Sequence, residues 1–210
     1  AVVDRLRRVA PRSRLLFAHE ILALKKQGDL DGARRAAEAR VALAPDDTYA
    51  IRVLIEIAAA RRDLAGVRTY NHQLERLHEL TSGDLNNWAW FDLALGAVSD
   101  TSSDRISRAI LASQPPDAGM LNTQAAVYAE VGRVVDARDV LYQSMDAAGL
   151  DDPDDSSWYV IGRLAEQYGF PDAARKAYSR IKEDGGDLPG ASSVFSMARE
   201  RLGHLQDGGR

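Results

Sequence analysis

The stretch WYVIGRLAEQYGFPDAARKAYSRI, residues 158–181, decides the fold. Its framework is Trp158, Ile161, Gly162 and Ala165, then Gly169, then Ala174, Tyr178 and Ile181. YGFPDAA reads as the turn of a helical hairpin, with apolar residues at helical spacing on both sides of it. The pattern does not stand alone. Thirty-four residues separate Pro11 from Pro45, and helix pairs of that period recur along the chain. A fixed period of this size is the signature of stacked helical hairpins, a solenoid.

Residues 158–178 resemble the tetratricopeptide repeat (TPR). Its pattern runs Trp, two spacers, Leu-Gly, two spacers, Tyr, then Ala, three spacers, an aromatic, and Pro. The resemblance implies an all-α, right-handed superhelix of about five TPR-like hairpins with terminal helices, residues 1–210 forming one array. Repeats are expected at 14–47, 48–81, 87–117, 118–151 and 155–188, with 190–205 as a C-terminal capping helix. Val3, Leu6 and Val9 match a second helix, so residues 1–10 read either as the back half of a further repeat or as an N-terminal cap.

Local chemistry supports these boundaries. In the first copy, Leu15, Leu16, Ile21, Leu22 and Leu24 lie at helical spacing. Gly28 then suits a left-handed helix end, and Asp29 or Asp31 suits the next N-cap. Ala33, Ala36 and Ala37 are small where two helices must meet. The second copy is degenerate: Arg62 stands where the turn glycine is expected, and Val67 replaces a small residue. TSGD (81–84) reads as inserted residues before the third copy, whose turn SDTSSDR offers Ser103 or Asp104 as N-cap.

Composition narrows the function. Apolar residues make up 45% of the 210 and suffice for a continuous core. The net charge of −4 is unevenly spread: residues 1–78 carry fifteen Lys/Arg against ten Asp/Glu, and residues 79–210 carry twelve against twenty-one. A net negative chain without a basic stripe and interleaved aromatics argues against nucleic acid as partner. No apolar run reaches the roughly 18–20 residues of a membrane span, so membrane insertion is not expected. The absence of cysteine fits a reducing, cytoplasmic compartment. Abundant Ala and Arg with only four Lys suggest a high-GC bacterial source. The chain starts without Met, as expected of a piece of a larger protein.

Nothing in the sequence points to catalysis, a cofactor or a metal. His72 and His78 are six apart and face different sides of a helix, and His19 and His204 stand alone. The aspartates of DDPDD (151–155) lack the spacing, glycine and glutamate of a calcium loop. QGDLDGA lacks the Lys-Ser/Thr of a phosphate loop.

By the TPR resemblance, one face of each first helix lines a groove for a protein or peptide. Carried along the array, that face comprises Ala18, Leu22 and Lys25; Tyr49, Arg52 and Glu56; Trp88, Phe91 and Leu95; Asn122, Ala126 and Glu130; and Tyr159, Arg163 and Glu166. Trp88 and Phe91 read either as an anchor pocket or as packing. The Lys/Arg/Asn cluster with which chaperone-binding TPRs grip a terminal carboxylate is not reproduced. The expectation is a protein-binding scaffold, self-association included. The alternative is a non-catalytic C-terminal regulatory or structural arm of a multidomain protein.

Overall fold

The computed structural model describes residues 13–113, 115–183 and 192–207. The partial repeat expected at 1–10 and most of the loop before the last helix lie outside them. The described residues form helices and turns, without strands. In chain order the helices are α1 (Arg14–Lys26), α2 (Leu30–Leu43), α3 (Thr48–Ala60), α4 (Leu64–Arg76), α5 (Ser82–Ala94), α6 (Asp100–Ala112), α7 (Ala118–Glu130), α8 (Val134–Ala148), α9 (Asp155–Gln167), α10 (Pro171–Tyr178) and α11 (Val194–Asp207). They pair as hairpins, α1–α2 through α9–α10, and α11 follows singly. This is an all-α helical-repeat fold. The described residues divide into two compact units, one ending at Glu79 and the other starting at Leu80.

The period is written in the turns. A left-handed residue recurs at Gly28, Arg62, Gly96, Gly132 and Gly169. Asp29 and Asp63, each just after that turn residue, cap α2 and α4 by accepting the backbone N–H groups of Gly32 (2.8 Å) and Gly66 (2.9 Å). Arg62 holds the glycine position at φ 58°, so the degenerate repeat keeps its geometry at a conformational cost. Two local expectations are corrected. TSGD is not an insertion: Thr81 Oγ1 accepts the Asp84 N–H (3.1 Å) and the Asp84 carboxylate accepts the Thr81 N–H (2.9 Å), a capping box that starts α5 at Ser82. The N-cap of α6 is Ser99, not Ser103 or Asp104, because Ser102 Oγ accepts the Ser99 N–H (3.2 Å) and starts the helix earlier.

Each unit has its own core. In the first, Phe17 and Ile21 of α1 meet Ala33 and Ala37 of α2 and Ala50, Val53, Leu54 and Ile57 of α3. The two alanines are fully buried, which lets the helices close on one another as the sequence predicts. In the second, α5, α7 and α9 pack side by side as one layer, with α6, α8 and α10 paired behind them. The tightest crossing is in the hairpin that decided the fold. A Cβ on Gly162 would lie 2.3 Å from Cε1 of Tyr178, whose side chain is 1% exposed. Beyond α9, helix α11 packs on both α9 and α10, the slot that a further first helix would take.

Candidate functional site

The predicted groove residues lie on first helices, except Leu95, which caps the end of α5, and the two units treat them differently. In the first unit the face is open. Leu22 is exposed, and Ala18, Lys25, Tyr49, Arg52 and Glu56 are half-buried. Lys25 Nζ donates to Glu56 Oε2 (2.8 Å), joining α1 to α3, and the Tyr49 ring meets Phe17 edge-on at 5.9 Å between centroids. Arg52 Nη2 donates to the Glu79 carbonyl (3.0 Å). This surface combines an exposed leucine, an accessible tyrosine edge and a charge pair.

In the second unit the same face is closed. Trp88, Asn122, Tyr159 and Arg163 are all buried, whereas Phe91 and Leu95 are half-buried. Of the two readings of Trp88, packing is the one its burial matches. Arg105 of α6 lies over its ring at 3.8 Å and also donates to Asp92 (2.6 Å), which accepts from Ser102 Oγ (2.7 Å) as well. Asn122 Nδ2 faces Ser157 Oγ at 3.5 Å.

At the centre of this closed face lies a charge network. Arg163 Nε donates to Glu130 Oε2 (2.7 Å) and its Nη1 lies 2.9 Å from Glu166 Oε2. Glu166 also accepts from the Tyr178 hydroxyl and, through both oxygens, from Nε and Nη2 of Arg201 on α11. Burial alone would raise the Glu166 pKa. The Arg201 fork, the Tyr178 hydroxyl and the Arg163 guanidinium outweigh it and hold the carboxyl below the usual glutamate range. Burial pushes the Tyr159 and Tyr178 phenols up, so both stay neutral. Two carboxylates thus meet two guanidiniums, one of them delivered by α11.

Sequence reasoning placed Glu130, Arg163 and Glu166 on this face but missed Arg201 and Tyr178. A signal was available. Glu130 precedes Arg163 by 33 residues and Glu166 precedes Arg201 by 35, so opposite charges recur at about one repeat and pair across neighbouring first helices. Among the described residues no group of three or more His, Asp or Glu could hold a metal ion, and no helix is long and apolar enough to cross a membrane.

No protein-family model and no curated protein matches the chain. Solved structures do. One is the crystal structure of PilW, a widely conserved type IV pilus biogenesis factor: 15% identity, 93% of this chain and 94% of that chain covered, TM-score 0.66. Another is Acl4, an assembly chaperone of RpL4: 18% identity, 99% of this chain and 93% of that chain covered, TM-score 0.43. At such identities the PilW likeness shows the helical-repeat fold and nothing finer.

Proposed function

We propose that the chain is a TPR-type array that acts as a protein-interaction scaffold, binding a segment of a partner protein on the face of its first helices. The observation that carries this reading is the open face of the first unit. There Leu22 is exposed and Lys25, Tyr49 and Glu56 are half-buried, whereas Trp88, Asn122, Tyr159 and Arg163 on the first helices of the second unit are buried. Tyrosine and arginine, here Tyr49 and Arg52, are the residue types enriched in binding hot spots, and Leu22 adds exposed apolar surface. The all-helical repeat frame, shared with PilW, supplies an extended row of such positions.

The test is a Leu22→Asp variant. Its side chain lies outside the core, so the melting temperature is expected to stay at the wild-type value. Partner binding is expected to weaken by about 2 kcal/mol, roughly thirtyfold, if Leu22 is an anchor. A folded variant that keeps every wild-type partner at full affinity removes the basis for this reading.

A further inference from the structure

The closed face of the second unit is closed by the chain itself, and the manner of closure describes a ligand. The Trp90 indole N–H of α5 donates to the Ser192 carbonyl (2.9 Å), so the residues entering α11 reach across to the far helix of the layer. Val194 and Phe195 then pack against the core cluster that contains Tyr159 and Tyr178, and Arg201 enters the network at Glu166. α11 runs beside α9 in the same sense, its start near Asp155 and Ser156 and its Arg201 near Glu166.

Two features of α11 suit a displaceable element. The first is weak apolar attachment. Of its described side chains only Met197 and Ala198 are buried, as few as the Phe17 and Ile21 of α1, and Val194, Phe195, Leu202 and Leu205 are half-buried against the core. An element with few buried apolar contacts lies at the low-stability end of a fold and opens first. The second is charge. Without Arg201 the network keeps Glu130 and Glu166 against Arg163 alone, leaving two half-buried carboxylates with one guanidinium between them. That excess of carboxylate favours a cation, and the two-pronged geometry at Glu166 favours a guanidinium, since a lysine ammonium is a point charge that cannot reproduce the fork.

We propose that α11 stands in for an external ligand: the Glu130–Arg163–Glu166 face of α7 and α9 binds an arginine-bearing amphipathic helix from another protein, which competes with α11 for the same place. The helix it selects is spelled out by α11, with Met197, Ala198, Arg201, Leu202 and Leu205 on one side. The partner therefore carries apolar residues, an arginine three or four positions on, and leucines after it. This rests on the scaffold reading only for the premise that first-helix faces take partners.

The experiment uses the full chain and a fluorescent peptide with the sequence of residues 192–207, read by anisotropy. In the Arg201→Glu chain, like charge at Glu166 frees α11 and uncovers the face. That chain is expected to bind the peptide at least about tenfold more tightly than the wild-type chain does, and a peptide carrying Arg201→Gln is expected to lose about tenfold. Equal binding by the two chains, absence of binding to a folded Arg201→Glu chain, or equal affinity for both peptides overturns the proposal. So does a wild-type dimer in sedimentation that the peptide dissociates, because the occupant would then be a second copy. If Arg201→Glu fails to fold, Met197→Ser is measured the same way. Failure of both to fold makes α11 an obligatory part of the core and also overturns it. None of these results touches the Leu22 test on the other unit.

Discussion

Adding one methyl group at two glycines should move stability in opposite directions. At Gly162 the new Cβ would lie 2.3 Å from Cε1 and 2.6 Å from Cζ of Tyr178, about 1 Å inside ordinary contact. The ring cannot retreat: it is 1% exposed, its hydroxyl is held by Glu166, and Tyr159 lies 5.9 Å from it. Overpacking costs about 1–3 kcal/mol, and a ring pinned on several sides belongs at the upper end of that range. Against this, Gly→Ala inside a helix gains about 1 kcal/mol. Gly162→Ala should therefore lose about 2 kcal/mol net, a fall of about 4–8 °C in Tm for a chain of this size. Gly203 of α11 has nothing within 4 Å of its Cβ position, so Gly203→Ala keeps only the helical gain and should melt at or above wild type. Circular dichroism melts of both variants decide it. A Gly162→Ala protein melting at or above wild type, or both variants shifting the same way, would refute the claim that this crossing is set by side-chain size.

Trp88→Ala should cost about 3–5 kcal/mol in urea unfolding, because the indole is buried beneath Arg105; a loss under about 1 kcal/mol would mean that it is not core packing. Arg62→Gly should raise stability by on the order of 1 kcal/mol, since Arg62 sits at φ 58° where a side chain is strained; a fall in Tm would contradict that. The depressed pKa of Glu166 makes its network stabilising above the unfolded-state value of about 4.3, and that contribution is lost as pH falls through the lower folded value. Wild type should thus lose its stability advantage over Glu166→Gln as pH drops from 7 towards 3, and an advantage that stays constant with pH would count against the network.

The fold was legible because a solenoid repeats its instructions. Gly28 predicts the left-handed turn, Ala33 and Ala37 predict a close crossing, and the 34-residue step predicts the next copy. What the sequence concealed is local choice among several capping residues: Ser99 prevails over Ser103, and Thr81–Asp84 form a box rather than an insert, because each cap depends on a backbone geometry that composition does not specify. For the candidate site, spacing identified the right face but not its exposure. Arg52 and Tyr159 hold equivalent repeat positions, each five residues after the N-cap of its helix, yet one is half-buried and the other buried. Tyr159 belongs to a core cluster with Tyr178 of α10 and with Met197 and Ala198 of α11, partners that the repeat spacing does not specify.

Site-specific photocrosslinking tests the scaffold reading most directly. A benzoylphenylalanine is placed at Leu22 on a first helix and, in a separate protein, at Leu111 on the second helix α6, both exposed side chains. The account predicts that a native partner crosslinks strongly from position 22 and not from position 111. Equal crosslinking from both positions, or crosslinking from 111 alone, would contradict the assignment of partner binding to the first-helix face.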